Sequence, residues 1–271
     1  MKLSNIFSRR NRILLRELVV TDFKLRYQGS VLGYLWSLLK PLFLFAIMYI
    51  VFGNFLRVGD AVEHFSVYLL LGVVFWSFFT EATSQGLASI VNHGELIRKI
   101  NFPKYIIVVS GSLSALINLG LNLIIIMVFI LINGVKIHFS ALLFPLYTIE
   151  LYIFALSLAF LLSASYVKFR DVSHIWEVLL QGAFYATPIL YPITLVIKQA
   201  GHTAAQILMM NPVAQIIQDA RYALVTHQTV RLEDLTSNIF IQAIPFAIVL
   251  SFAIFSGLYF KKHSSYFSEN V

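Results

Sequence analysis

Six long apolar runs alternate with short polar segments along the chain. Five lie at about 32–56, 65–90, from 105 onward, 139–167 and 239–260, and another follows the charged turn at 168–172 and ends at YATPILYP. About 20 apolar residues suffice to cross a bilayer as a helix. Because backbone groups in lipid must be paired within the segment, long unalternating runs favour helices over a barrel. The pattern therefore predicts an all-α integral membrane protein with six transmembrane helices in a single domain, 1–271.

Residues 5–28 precede the first run and have a helical pattern, but they are too charged to cross a membrane. One face of a helical wheel carries leucines and the opposite face carries charges: Leu14, Leu15, Leu18 and Leu25 against Arg9, Arg16, Glu17 and Lys24. This pattern is typical of an amphipathic helix lying in the membrane interface. Asp22 falls on the apolar side, and an i,i+4 pair with Arg26 would offset its desolvation. The helix is either a surface anchor alone or also a seat for a cytoplasmic partner.

Residues 92–104, NHGELIRKINFPK, form a charged stretch between the second and third apolar runs. Asn92 or His93 is placed to cap a short helix over 95–100, and Pro103 ends that helix before the next span begins. A short basic helix between two spans must lie at the bilayer surface. Another protein could push on it there.

Residues 193–234 are too polar to span the membrane. Asn211 is a favourable N-cap, and Pro212 follows at the first helical position. An amphipathic piece, PVAQIIQDARYALV, continues from there. We therefore predict an external helical hairpin at the membrane surface before the last span.

Composition and charge agree with a membrane protein and set its orientation. Hydrophobic residues make up 59% of the 271 positions and charged residues 12%, with a mean hydropathy of +0.80. If both termini are cytoplasmic, fifteen of the 20 Lys and Arg residues fall on the inner side. This positive-inside bias explains the net charge of +7 without a nucleic-acid partner, and membrane lipids are the expected surroundings.

Ionisable and polar residues within the spans are candidates for a conduit. Glu81 is expected near the inner boundary, and Glu150 lies in the fourth span, either as a functional residue or against a polar neighbour. Gln181 and Tyr185 share one face of the fifth span, which should line a pore or contact a partner helix. Tyr191 follows near its outer end, where a tyrosine ring suits stacking on a sugar or plain interfacial anchoring.

Signatures of catalysis and of metal or cofactor binding are missing from the sequence. There is no GxxxxGK[ST] phosphate loop and no GxSxG nucleophile setting, and the chain has no cysteine. The 7 histidines do not pair at i,i+4, and His174 with Glu177 is too few ligands for a metal site. We predict that the chain is not an enzyme and holds neither a metal nor a cofactor. Any energy source must then lie on another chain.

The order of several segments resembles a known family. These are RELVVTDFKLRYQGSVLGYLWSLLKPL, YLLLGVVFWSFF, NHGELIRKINFPK, FRDVSHIWEVLLQGAFYATPILYP and MNPVAQIIQDARYAL. In combination, over about 9–260, they resemble the permease subunit of ABC exporters for cell-surface polysaccharides such as O-antigen, capsule and teichoic acid. The resemblance implies a homodimeric pore in the bacterial cytoplasmic (inner) membrane, with separate nucleotide-binding ATPase subunits beneath that carry ATP and Mg. The substrate would be a lipid-linked polysaccharide drawn from the inner leaflet.

The resemblance also implies roles for segments and residues of this chain. It implies an interface helix at 5–28, a coupling helix at 92–103 and gate helices at 193–225. The residues expected to couple to the ATPase are Glu95, Leu96, Arg98, Lys99, Phe102 and Pro103. Those expected to act in the interface helix are Arg16, Asp22 and Arg26, and those in the channel are Gln181, Tyr185, Tyr191, Glu81 and Glu150.

Three alternative functions stay open at the level of sequence. The same architecture serves ABC exporters of other lipids or of drugs. An ion-coupled secondary transporter would use Glu81 or Glu150, although the internal repeats typical of such transporters are not evident. A membrane-embedded enzyme acting on a lipid-linked sugar would need a convergent catalytic set, whereas the sequence has scattered single residues.

Overall fold

The computed structural model describes residues 8–267, apart from the side chains of Tyr27 and Ala61, and all regular structure in this range is helical. Residues 5–7 of the predicted interface helix lie outside the described range. The α-helices are α1 (Arg9–Tyr27), α2 (Trp36–Met48), α3 (Phe65–Asn92), α4 (Gly94–Lys99), α5 (Tyr105–Ile132), α6 (Phe144–Lys168), α7 (Val172–Ala186), α8 (Ile193–Met209), α9 (Pro212–Leu224), α10 (Leu232–Leu235) and α11 (Ile239–His263). Short 3₁₀ turns precede α2 and α6, and a π-helical segment, Tyr49–Phe55, extends α2.

Five helical segments within the described range are long and apolar enough to cross a membrane. They are Gly33–Phe55, Phe65–Asn92, Tyr105–Ile132, Phe139–Lys168 and Ile239–Tyr266. The predicted fifth span corresponds to α7, which has 15 residues and is about 22 Å long, short of the roughly 30 Å of a bilayer core. Thr187 has an extended backbone and precedes Pro188, so the helix stops there. The predicted total of six spans is therefore not confirmed.

Helix α3 is the centre of the bundle. In its most apolar stretch 78% of the residues are buried, against 17% in the first and last spans, whose exposed sides are left for lipid or a partner chain. It packs on α5, α6, α2, α7 and α9. Gly86 permits the close approach of α6, because a Cβ at this position would overlap Ala159. Small residues that let helix backbones approach closely are common at membrane helix interfaces.

The two ends of α3 define the two ends of the bundle. At the α4 end, one apolar cluster joins α4 to the C-terminal ends of α6 and α11 through Ile97, Val167 and Phe260. At the α9 end, α9 packs against the first turns of α3. Since α6 finishes at the α4 end and α11 begins near α9, the chain between them must travel the length of the bundle. Helix α7 runs beside α3 in this direction. Its Trp176 donates a hydrogen bond to Thr83 of α3, and the helix continues from there towards Gly72 of α3.

Helices α8, α9 and α10 pack together as a cap on the α9 end of the bundle. Helix α8 is kinked at Gly201, whose φ of 86° lies in the left-handed region. The Asn211 side chain accepts a hydrogen bond from the Val213 amide with Pro212 at the first helical position, so this predicted N-cap is confirmed. Helix α9 is amphipathic in sequence, but nearly all its residues are buried between the bundle and the rest of the cap.

Candidate functional site

The candidate site begins at α4, a helix of six residues at the turn between α3 and α5. His93 occupies the N-cap position, but its side chain makes no capping bond; its Nδ1 instead donates to the Ser89 carbonyl at 2.9 Å. The predicted side-chain cap from Asn92 or His93 is therefore wrong, because the imidazole is held by other partners. The helix also ends at Lys99 rather than at residue 100, and Pro103 comes just before α5 as predicted.

The coupling residues predicted from the resemblance divide into exposed charges and buried anchors. Glu95, Arg98 and Lys99 are exposed, and the Lys99 Nζ lies 3.3 Å from the Glu95 Oε2 as an i,i+4 pair. Leu96 and Pro103 are half-buried, whereas Phe102 is only 7% exposed and lies in the apolar cluster with Ile97. Phe102 thus holds the segment to the bundle, and the charges face outward.

Helix α1 is joined to the bundle by Arg26 and Asp22. The Arg26 guanidinium bonds to the Glu81 carboxylate of α3, which also accepts from Asn118 of α5 at 2.6 Å and from Gln85 at 2.8 Å. Glu81 is thus held by α1 and α5 rather than facing an open channel. We refer to the Arg26–Glu81 pair as the first joint.

Asp22 forms the second joint, which ties α1 directly to the start of α4. Its Oδ1 lies 3.3 Å from the His93 Nε2, and its Oδ2 accepts from the Ser110 hydroxyl at 3.3 Å. The hydrogen bond that the His93 Nε2 donates to Asp22 raises the pKa of His93 above its usual 6.5, while burial opposes this shift. The predicted i,i+4 pair between Asp22 and Arg26 is wrong, because each residue has a tertiary partner on a different helix. Arg16, the third residue predicted for this helix, is exposed.

At the α9 end, Arg221 is a fully buried cation that sequence reasoning had counted only as an outer charge. Its Nε donates to the Tyr68 carbonyl at 2.9 Å, and its Nη1 and Nη2 donate to the carbonyls of Pro188 and Ile189 at 2.6 and 2.7 Å. The guanidinium also lies 3.6 Å from the centroid of the Tyr68 ring. Burial lowers the pKa of Arg221 to about 10, which leaves it charged at neutral pH. One side chain thus fastens α9, α3 and the 187–192 loop together.

Gly72 on α3 makes room for this buried guanidinium, since a Cβ there would overlap the Arg221 Nη2. No local pattern links a glycine in one apolar helix with an arginine in an amphipathic helix far along the chain. The only signal in the sequence is that PVAQIIQDARYAL carries an arginine amid mostly apolar positions.

The predicted channel residues do not come together in one place within the chain. Gln181 and Tyr185 are exposed on α7, with Tyr185 at 67%, and the Tyr191 hydroxyl donates to the Tyr185 carbonyl at 3.0 Å. Glu81 belongs to the first joint, and Glu150 is buried on α6 near α9. Only the α7 face therefore offers a group of these residues to a second molecule.

No group of three or more His, Cys, Asp or Glu side chains between residues 8 and 267 is arranged to hold a metal ion. Of the charged residues predicted for the site, Asp22, Arg26 and Glu81 join helices, and Glu95, Arg98 and Lys99 face outward on α4.

Comparison with known proteins agrees with this picture. Residues 13–225 match the family described as ABC-2 type transporter. The O-antigen export system permease protein RfbA of Myxococcus xanthus is 28% identical over 260 residues, covering 96% of each chain. The protein of the same name from Klebsiella pneumoniae is 29% identical over 197 residues, covering 72% of this chain and 74% of that protein. The matched region extends from α1 through α9, and the chain is a multi-pass membrane protein that belongs to the ABC-2 type transporter family.

Proposed function

We propose that the chain is the permease subunit of an ATP-driven exporter that moves a lipid-linked polysaccharide across the cytoplasmic membrane. A homodimer forms the pore, and separate ATPase subunits bind on the cytoplasmic side. The observation that carries this proposal is the composition of α4: charges that face outward on a segment whose Ile97 and Phe102 are anchored in the bundle. The similarity to relatives named as O-antigen export permeases supports the substrate class.

Coupling follows from the way in which α4 is connected. The helix lies between the C-terminal end of α3 and the N-terminal end of α5, so displacement of α4 acts on both spans directly. The second joint, between His93 and Asp22, passes the same displacement to α1. Small shifts at a packed contact surface are transmitted as movements of whole helices, because a close-packed interior does not deform continuously.

The conduit in this proposal lies along α7 and the first span. Gln181 and Tyr185 are exposed, as is most of the first span, so a second copy of the chain or the substrate can meet these surfaces. Tyrosine rings combine an apolar face with a polar tip, which suits a sugar chain sliding past. In this proposal the chain crosses the membrane a sixth time along α7 and the segment 187–192 that follows it, so that both termini lie in the cytoplasm.

The coupling role is tested by reversing two exposed charges, Arg98→Glu and Lys99→Glu, in the full transporter. We expect loss of glycan export in cells and of substrate-stimulated ATP hydrolysis in the purified complex, because the partner surface meets the wrong charge. Membrane insertion and the amount of permease should stay unchanged, since both side chains are exposed.

A matched control reverses two other exposed charges, Lys261→Glu and Lys262→Glu. Both lie in the last turn of α11, at the α4 end of the bundle. This control makes the same change in net charge without touching α4, and it should keep export. Normal export by the Arg98/Lys99 variant, or equal loss in both variants, would refute coupling through α4.

A further inference from the structure

A second polar site lies apart from the coupling surface and from the α7 conduit. A cavity of about 260 Å³ opens between α9, α10 and the first turns of α11. Its polar lining is formed by Gln215, Asp219, Glu233 and Gln242, and the ring of Phe246 lies beside them. We call it the α9–α11 cavity.

One buried residue of the lining has a hydrogen-bonding atom without a partner in the described chain. Gln215 is only 2% exposed and lines the cavity, yet its Oε1 has no hydrogen-bond partner. Its Nε2 donates to the Asp219 Oδ2 at 2.5 Å, which fixes the orientation of the amide and leaves the oxygen as the unfilled atom. A buried acceptor without a donor costs about 1–3 kcal/mol, which is uncommon unless a ligand or water supplies the donor.

The other groups around the cavity are also acceptors. Burial raises the pKa of Asp219 to about 6, an effect that the Gln215 hydrogen bond opposes, so the carboxylate is ionised at neutral pH. Gln242 commits its Nε2 to the Thr236 carbonyl at 2.8 Å, which leaves its oxygen available. Glu150 of α6 does not line the cavity but interacts with Gln215 and Asp219; it is 9% exposed and has one carboxyl oxygen without a partner. The complementary ligand is therefore one that donates several hydrogen bonds.

Three kinds of donor ligand can be compared. A metal ion needs a tighter set of ligands than this region offers, as no three acidic or histidine side chains of the described chain form such a group. The negative electrostatic potential that would favour an organic amine is reduced, because the Arg231 guanidinium lies 2.7 Å from the Glu233 carboxylate and pairs with it. A sugar ring matches best, since its hydroxyls donate to carboxylate and amide oxygens while its C–H face stacks on an aromatic ring.

We propose that the α9–α11 cavity binds a single sugar ring through its hydroxyl groups, as a docking site for exported glycan outside the conduit. This rests on the proposed function only in that the exported polysaccharide supplies the sugar. The site lies on α9, which Arg221 fastens to α3, so it is carried by a rigid part of the molecule. Retention of an emerging glycan at a rigid site would hinder its backward movement between cycles of ATP hydrolysis.

The test measures binding of a repeat-unit oligosaccharide, released by mild acid from the glycan that the host exports, to the full transporter in lipid nanodiscs. Calorimetry and saturation-transfer NMR report the affinity and the sugar protons in contact. Asp219→Asn, which puts a donor in place of an acceptor, should weaken binding at least tenfold. Glu233→Gln, at the more exposed rim, should also weaken it and should leave folding unchanged, since this side chain is 58% exposed. Asp60→Asn, an exposed carboxylate on the loop before α3, is the matched control and should leave affinity unchanged.

The outcomes separate this site from the proposed function. Equal affinity in wild type and both cavity variants, or binding of Ca²⁺ alone without oligosaccharide, would overturn the docking site while wild-type export continues. If the wild-type transporter exports no glycan in cells, the proposed function fails instead, whatever the cavity binds.

Discussion

The two ends of α3 hold their neighbouring elements in different ways. At the α4 end, α1 and α4 are attached by two joints between side chains that are about one-fifth to one-quarter exposed, Arg26–Glu81 and Asp22–His93. At the α9 end, a fully buried Arg221 fastens three segments through carbonyl oxygens. One end is joined by contacts that water can reach, and the other is locked by a contact that water cannot reach.

This difference bears on which end moves. A partly exposed ion pair contributes about 0–1 kcal/mol, so breaking either joint costs little, and the apolar cluster that contains Leu18, Ile97 and Phe102 supplies the remaining attachment of α1 and α4. Removing one partner of a buried charged group costs about 3–5 kcal/mol, so the α9 end resists displacement. If the α9 end stays fixed, displacement of α4 would move only the ends of the spans that lie near α4.

The largest effect is expected from removing the buried cation by Arg221→Met. Methionine fills part of the volume, but the carbonyls of Tyr68, Pro188 and Ile189 lose their donor. We expect the free energy of unfolding to fall by about 3 kcal/mol or more. The measurement is the thermal unfolding midpoint of the purified transporter, with the amount of permease in membranes as a second reading.

Arg57→Met is the matched control for this change, because Arg57 is exposed on the loop before α3. It should alter the midpoint little. A midpoint for Arg221→Met equal to that of the control would mean that the α9 end is not locked by the guanidinium, and the contrast between the two ends would disappear.

An intermediate effect is expected from Gly72→Ala, which adds one methyl group where the Arg221 Nη2 lies. The guanidinium must shift away from its carbonyl partners, which should cost about 1–3 kcal/mol. Gly182→Ala on α7 places the same methyl group in open space and should be neutral or stabilise the helix by up to about 1 kcal/mol. The unfolding midpoint should therefore fall for Gly72→Ala and stay the same or rise for Gly182→Ala, and a shift of the same sign and size in both would contradict close packing at Gly72.

Sequence reasoning found the elements whose signals are local. The long apolar runs correspond to α3, α5, α6 and α11. The Asn211 cap and the charged stretch at 92–104 are also found where the pattern predicts them. Helix α7 agrees in position but not in length, because the run continues as apolar residues past the point where Pro188 stops the helix. Hydropathy does not distinguish an apolar helix from an apolar loop packed inside protein.

The errors concern side chains whose partners are distant in sequence. The i,i+4 rule favours a pair between Asp22 and Arg26, but Glu81 and His93 offer contacts on other helices, and tertiary partners win over a weak local pair. The Arg221–Gly72 contact has no local signal beyond an arginine amid the mostly apolar positions of PVAQIIQDARYAL. The sequence thus predicts which segments exist, whereas the site depends on how α1, α3 and α9 meet.

The smallest effect is a pH dependence of the second joint. Since Asp22 raises the pKa of His93, the joint contributes its full stabilisation below about pH 6.5 and loses it as pH rises through the raised value. We expect α1 to be more protected from amide hydrogen exchange in wild type than in Asp22→Asn at about pH 6, and this difference to be smaller at about pH 8.5; the bond from Ser110 to Asp22 contributes at both pH values. Comparing the variants at each pH cancels the intrinsic pH dependence of exchange. Arg26→Gln, which removes the first joint and leaves His93 and Asp22 in place, should differ from wild type equally at both pH values. A pH-independent difference for Asp22→Asn would show that His93 does not titrate against Asp22, and the α4 end would then be held without a protonation-dependent contact.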